Sequence, residues 1–134
     1  MNWPKPKNMK EIHIKRLLKL AKHLRSDKRA HRRFDIHTYN AGVWLGPDQC
    51  GTVGCAIGET PAVWPSLFRW GFGAVYSRRN STGCTQGDHQ RFFGLTSLQY
   101  IHLFLPAGYG WVDVSALVVA ERIEHFCSGR HEIP

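Results

Sequence analysis

Four cysteines and several histidines are the residues of this chain best suited to covalent or metal chemistry. The segment Gln49–Gly58 reads QCGTVGCAIG. If a helix begins with Thr52 as its cap, Cys55 falls in the first turn, where the helix dipole lowers the pKa of a thiol. Gln49 would then be available to help form an oxyanion hole. Four downstream histidines could supply the general base: His89, His102, His125 and His131. One alternative is therefore a cysteine-dependent hydrolase with Cys55 as nucleophile.

A purely structural explanation of the same segment competes with catalysis. Glycine and alanine allow backbones to approach closely, and a helix over residues 52–60, ended by Pro61, would pack tightly with Cys55 as a small apolar residue. Catalysis also requires a base at a defined distance, and the sequence does not place one. We therefore expect a binding protein rather than an enzyme.

A zinc site is the second alternative, because cysteine thiolates and imidazoles are ligands of tetrahedral zinc. Three pairs have ligand-like spacing: Cys50 with Cys55, Cys84 with His89, and Cys127 with His131. The first two pairs would make a four-ligand site. Structural zinc pairs more often have two intervening residues than four, and Cys127 falls on the apolar face of the last predicted helix. We expect no cofactor and keep a zinc-stabilised module as the alternative.

The strongest compositional signal is positive charge at the N-terminal end. All seven lysines precede residue 29, and the first 33 residues hold 12 basic side chains against Glu11 and Asp27, a balance of +10. The other 101 residues carry 6 basic and 8 acidic side chains and are close to neutral. A charge concentrated in this way favours an acidic partner.

A basic amphipathic helix is predicted over residues 8–31, ending at about residue 25 on the shorter estimate, after an extended, flexible lead-in at residues 1–7. Asn8 and Glu11 have capping-box spacing. Five residues form the predicted apolar stripe: Ile14, Leu17, Leu18, Ala21 and Leu24. Three lysines share a different face. The predicted partner-binding set is Lys15, Lys19, Lys22, Arg25, Arg29, Arg32 and Arg33.

Nucleic acid is the favoured partner of this basic segment, ahead of an acidic host protein. Lysines and arginines bind phosphates in a salt-dependent way, and Trp3, Phe34 and Tyr39 flank the charge and could stack on bases. A membrane surface is disfavoured because the apolar stripe is short and aliphatic. The competing explanation is a solvated helix face that only keeps the protein in solution.

The remaining elements predict a small, mainly α-helical single domain over residues 1–134, with long loops and with one short β element as an alternative. Thr96 and Gln99 form a capping box for a helix over 97–104, flanked by Leu95 and Tyr100 as a hydrophobic staple. A last helix is capped by Asp113 and ends at Gly129. Its predicted buried residues are Leu117, Ala120, Ile123 and Cys127.

Between the helices, residues 33–39 alternate as a short strand or an extended connection would. Residues 61–86 are predicted to be loops, with one helical turn near 62–69. No apolar run reaches the ~20 residues that span a bilayer, and no apolar signal core follows the basic segment. We expect a cytoplasmic protein.

An ordered set of four short segments resembles a group of small phage and bacterial proteins of uncharacterised function. The segments are Arg33-Phe34-Asp35-Ile36, Cys50 to Gly58, Phe93-Gly94-Leu95-Thr96, and Leu103-Phe104-x-Pro106. In the group they read roughly RFDM, CGTxACxxGW, FGLT and LFxP, and the likeness covers about residues 12–127. Glu59 stands where the group has a large aromatic residue, and Cys84 and Cys127 have no counterpart in the pattern.

This resemblance implies a phage or mobile-element accessory protein in a bacterial host cell. It implies no known activity. Small proteins of this kind often act by binding a host protein or nucleic acid, for instance as inhibitors of a nucleic-acid-processing or defence factor.

Overall fold

A computed structural model of the chain describes residues 9–26, 33–34, 42–43, 53–54, 56–71, 74–79 and 86–129. Within those residues the protein is mainly α-helical with a short β element, as predicted. The helices are α1 (Glu11–Arg25), α2 (Thr60–Val63), α3 (Gln86–Phe93), α4 (Ser97–Phe104) and α5 (Ala116–Cys127). The strands are β1 (Arg33–Phe34), β2 (Gly42–Val43), β3 (Val53–Gly54), β4 (Phe68–Gly71) and β5 (Ala74–Ser77). Two 3-10 turns lie at Ile57–Glu59 and Pro106–Tyr109.

Helix α1 is shorter than the predicted 8–31. Lys10 is its N-cap, in an extended conformation and without a capping hydrogen bond from its side chain. The predicted capping box of Asn8 and Glu11 is therefore wrong, because Glu11 begins the helix instead of occupying its third position. Ser26 is extended and ends the helix at Arg25. Residues 1–8 and 27–31 lie outside the described residues.

The buried face of α1 packs against α5. Leu17, Leu20, Ala21 and Leu24 are buried at helical spacing. Leu18 was predicted in this stripe, but 41% of it is exposed. From Leu17 the buried positions follow at steps of three, one and three residues. Leu18 does not fall on this stripe, and Leu20 is buried instead.

Helix α5 begins two residues later than predicted. The Ser115 side chain accepts a hydrogen bond from the backbone of Val118, so Ser115 and not Asp113 is the cap. The buried face is Ala116, Val119, Ala120, Ile123 and Phe126. Leu117, predicted to be buried, is 47% exposed, and Cys127 is half-buried. The helix ends before Gly129, whose φ of +80° is the predicted left-handed conformation.

Helix α4 has the predicted start and end. The Thr96 side chain accepts from the Gln99 backbone, the Gln99 side chain accepts from the Thr96 backbone, and the helix ends before Pro106. Leu95 and Tyr100, the predicted staple residues, are both buried. A local signal in four consecutive residues was sufficient here, because the cap satisfies backbone donors without long-range contacts.

The segment before Pro61 differs from its prediction. Val53 and Gly54 form strand β3, which pairs parallel with β1 and antiparallel with β2, so no helix begins at Thr52. Helix α2 starts at Thr60, with Pro61 in its first turn rather than after its end. Proline is favoured there because the first turn leaves its backbone nitrogen without a helical acceptor.

Two further elements were not predicted. Strands β4 and β5 form an antiparallel hairpin in which Phe68 faces Ser77 and Arg69 faces Tyr76. Helix α3 begins at Gln86, where the stretch predicted to be loops ends, and continues over residues for which no element was predicted. The hairpin is attached to the 3-10 turn at Ile57–Glu59 by the Trp70 indole, whose Nε1 donates to the carbonyl of Gly58 at 2.7 Å.

Gly94 connects α3 to α4 at a point where α1 comes close. Its φ is +66°, and a Cβ there would lie 2.2 Å from Nδ1 of His13. We expect Gly94→Ala to lower the free energy of unfolding by about 3 kcal/mol, because backbone strain and overpacking add. Gly129→Ala, at φ +80° with open space around it, should cost about 1 kcal/mol from strain alone. Urea denaturation followed by circular dichroism measures both, and equal losses would show that His13 moves aside freely.

Candidate functional site

Three lysines lie together on the exposed side of α1. Lys15, Lys19 and Lys22, hereafter the lysine face, all have exposed side chains. Lys15 forms an ion pair with Glu11 at 3.3 Å, an exposed contact that salt and water weaken. Lys19 Nζ lies 5.6 Å above the ring of Trp64. The described part of α1 therefore presents a row of cations to solvent, next to an aromatic ring.

Arg25 is placed differently from these lysines. Its guanidinium donates two hydrogen bonds to the Glu124 carboxylate, from Nε at 2.8 Å and from Nη2 at 2.6 Å. Those hydrogen bonds lower the pKa of Glu124. Arg25 thus joins α1 to α5. Arg33 lies in strand β1, and Arg29 and Arg32 lie outside the described residues.

Arg16 was not among the predicted partner-binding residues, yet it borders the site. Its Nη1 donates to the backbone carbonyl of Phe92 at 2.8 Å, and its guanidinium lies 4.2 Å above the Phe92 ring. Such a cation–π contact between partly buried groups is stabilising. One sequence signal indicates that Arg16 borders the core: it directly precedes the buried Leu17 and so lies on the flank of the apolar stripe.

Aromatic rings continue this surface away from α1. Trp64, Phe68 and Phe92, hereafter the aromatic cluster, meet edge to face: Phe92 lies 4.9 Å from Trp64 and 5.1 Å from Phe68 between ring centroids. Trp64 and Phe92 are half-buried and Phe68 is buried. The cluster brings α2, the hairpin and α3 together beside α1. Two cations of α1, Lys19 and Arg16, lie over its rings.

A groove opens between the hairpin and α3, with Phe92 in its wall. Its volume is about 600 Å³. It is lined by Ser66, Leu67, Phe68, Ser77, Arg78, Arg79, Asp88, Arg91 and Phe92. We call it the arginine groove, because three of these lining residues are arginines. Arg78 Nε donates to the carbonyl of Pro65, and Arg91 forms an ion pair with Asp88.

The structure thus joins two basic regions that are far apart in the sequence. Phe92 lies under the Arg16 guanidinium and also lines the arginine groove. Trp64 contacts Phe92 and lies beneath Lys19. The lysine face was predictable from the sequence and the groove was not, because Arg78 and Arg79 are separated from Arg91 in the sequence and come near it only through the hairpin and α3.

The residues proposed for cysteine or zinc chemistry do not form a described site. Gln49, Cys50, Cys55 and Cys84 lie outside the described residues. The proposed activation of Cys55 by a helix dipole loses its basis, because Val53–Gly54 is a strand. His89 is fully buried on α3, stacked on Phe68 and 3.5 Å from Thr60 Oγ1. Within the described ranges, no three His, Cys, Asp or Glu side chains converge as a metal site requires.

Two other titratable groups are poorly suited to catalysis. Burial, and to a lesser extent the charge of Arg122, lowers the pKa of His102 to about 3, so its imidazole stays neutral near pH 7. Burial raises the pKa of the Cys127 thiol to about 12, with Glu124 as a smaller cause. A thiol with so high a pKa remains protonated and is a poor nucleophile. His131, its suggested metal partner, lies outside the described residues.

Comparison with known proteins finds no matching family model, no matching characterised protein and no matching solved structure. Within its described residues, the chain has no helix that is both long enough and apolar enough to cross a membrane. The fold and the surface described above define a small, mainly α-helical protein with a continuous basic and aromatic face.

Proposed function

We propose that this protein binds nucleic acid through the lysine face and the aromatic cluster. The observation that carries the proposal is that cations of α1 lie against aromatic rings: Lys19 lies over Trp64, and Arg16 lies over Phe92. Nucleic-acid backbones bind lysine and arginine, and bases stack on aromatic rings. The resemblance to small phage and bacterial proteins adds a proposed setting, in which such binding would interfere with a host factor that processes nucleic acid.

Charge alone would not separate nucleic acid from an acidic protein. The half-buried aromatic rings beside the cations favour nucleic acid. Every base can stack on such a ring, and an acidic protein surface makes this contact less often. The lysine face also has the right extent. Lys15 and Lys22 are seven residues apart, or about 10 Å along the helix axis, so successive backbone phosphates can each meet a cation.

Neutralising the lysine face tests the proposal. We expect the triple variant Lys15→Gln, Lys19→Gln and Lys22→Gln to bind a random-sequence oligonucleotide more weakly. The slope of log K against log salt concentration should fall by about 2 for a single strand or about 3 for a duplex, because three phosphate contacts are lost. Fluorescence anisotropy across a salt series measures both quantities.

A matched control removes the same net charge elsewhere. Val112, Leu117 and Val118 are exposed and lie outside the lysine face. Changing all three to glutamate also lowers the net charge by three, and it should leave the salt slope almost unchanged. Equal losses in the two variants would mean that net charge alone governs binding. Unchanged affinity in the lysine variant, or no binding by the original protein at low salt, would overturn the proposal.

A further inference from the structure

The arginine groove has the chemistry of a phosphate site with an apolar wall. Three arginines, Arg78, Arg79 and Arg91, line it, and Asp88 carries the one carboxylate among the described lining residues. Its volume of about 600 Å³ lies within the range of small-ligand sites, roughly 300 to 1,000 Å³. Phe68 and Phe92 supply the apolar part. An anion that also carries a flat apolar group would use both parts.

Two of the guanidinium groups are held in place and still have donors to spare. Arg78 uses Nε for the carbonyl of Pro65, and Arg91 uses Nη2 for Asp88. A guanidinium has five N–H donors, so each keeps several for phosphate oxygens. The Arg79 backbone N–H donates to Ser77 Oγ at 3.3 Å, which fixes the chain next to its exposed side chain. The groove is therefore partly organised before any ligand arrives.

The aromatic wall restricts which nucleic acid can enter. In a duplex the faces of the bases are stacked on one another, and only their edges reach the grooves. A base can lie against the half-buried Phe92 only if it leaves its stack, and single strands allow this at little cost. The lysine face then lies beyond Phe92, where it can take neighbouring phosphates of the same strand.

We propose that the arginine groove binds one backbone phosphate and one unstacked base of a single-stranded nucleic acid, so that the protein prefers single strands to duplexes. This inference rests on the proposed function, since it names the form of nucleic acid that the lysine face and the groove share. It assigns Arg79 and Arg91 as phosphate ligands and Phe92 as the ring that contacts the base.

Charge reversal inside and outside the groove tests this assignment. Arg79→Glu should weaken binding of a labelled 12-nucleotide oligothymidylate by about tenfold or more. The matched control is Arg69→Glu on the same hairpin, where the guanidinium lies over Tyr76 at 4.6 Å and does not line the groove. The control should change affinity by less than about threefold. If Arg79→Glu alters the circular dichroism spectrum, Arg79→Gln replaces it.

Asp88 provides a test in the opposite direction. Asp88→Asn removes the one carboxylate found among the described residues that line the groove, so it should tighten binding of the oligothymidylate several-fold. A loss of folding cannot produce a gain of affinity, which makes this variant a check on the others. The original protein should also bind the oligothymidylate at least about tenfold more tightly than a hairpin duplex of equal charge.

The outcomes separate the two proposals. If the lysine variant loses binding while Arg79→Glu equals Arg69→Glu, the groove assignment is overturned and nucleic-acid binding stands. Equal affinity for single strand and duplex also overturns it. Competition by inorganic phosphate as effective as competition by thymidine oligonucleotides would make the groove a small-anion site and overturn the assignment. Failure of the unaltered protein to bind any oligonucleotide overturns both.

Discussion

Replacing Arg122 with methionine is expected to lower the free energy of unfolding by about 3 kcal/mol. The side chain keeps a similar length, so the loss reports the guanidinium. Arg122 Nη1 donates to the carbonyl oxygens of His102, at 3.2 Å, and of Gly108, at 2.5 Å. Its guanidinium also lies 3.7 Å above the ring of Tyr109. Thermal and urea unfolding of the variant measure the effect.

The turn that Arg122 contacts also has hydrogen bonds of its own, for instance from the Gly108 backbone N–H to the Leu105 carbonyl at 3.0 Å. A Cβ at Gly108 would lie 2.4 Å from the carbonyl oxygen of Ile101, so the backbone there is already in close contact. The Tyr109 hydroxyl donates to the carbonyl of Leu103 at 2.7 Å, and burial raises the pKa of that hydroxyl. Arg122 ties this compact turn to α5.

Arg122→Lys is the matched control, because it keeps the charge but loses the fork of donors. Its loss of stability should be intermediate between the original protein and the methionine variant. A methionine variant as stable as the lysine variant would show that burial of the aliphatic stem, and not the hydrogen bonds to two carbonyls, holds the turn.

Replacing Glu59 with alanine is the second change with a large expected effect, about 3 kcal/mol. Glu59 is 1% exposed, and its Oε1 lies 2.7 Å from Nε2 of His23 on α1. Removing the carboxylate leaves a nearly buried imidazole without this partner and opens a small cavity. Glu59→Gln keeps an oxygen of the same size at that position and should cost less than half as much.

A double-mutant cycle isolates the contact between the two side chains. His23→Leu, combined with Glu59→Ala, should destabilise the protein by clearly less than the sum of the two single changes, because both remove the same contact. Additive losses would show that Glu59 stabilises the fold through its other neighbours. A carboxylate at this position is compatible with burial because His23 meets it.

The elements that were predictable from sequence are those with local signals. Thr96 and Gln99 cap α4 through contacts within a single turn, and Leu17, Ala21 and Leu24 mark the buried face of α1 by their spacing alone. Gly129 ends α5 through its own backbone conformation. In each case the physical cause lies within a few residues of the position concerned.

The elements that were missed depend on partners distant in the sequence. Val53 and Gly54 read as helix from their neighbours, but two other short strands satisfy their backbone groups. Only Phe72 and Gly73 separate the two strands of the hairpin at residues 68–77, and this pair is not one of the Asn-Gly or Asp-Gly pairs that signal a hairpin in a sequence. Trp70 attaches the hairpin by a hydrogen bond to Gly58. The groove could not be predicted without both the hairpin and α3, because Arg79 and Arg91 become neighbours only when the hairpin packs on α3.

The pairing of α1 with α5 also has a consequence for how the chain is made. Arg25 and Glu124, which join the two helices, are 99 residues apart. A ribosome therefore completes α1 long before α5 exists to cover Leu17, Leu20 and Leu24. Contacts between such distant segments form slowly, and uncovered leucines on a nascent chain attract other apolar surfaces in the meantime. Synthesis of this protein passes through an interval in which its most basic helix carries an open apolar side.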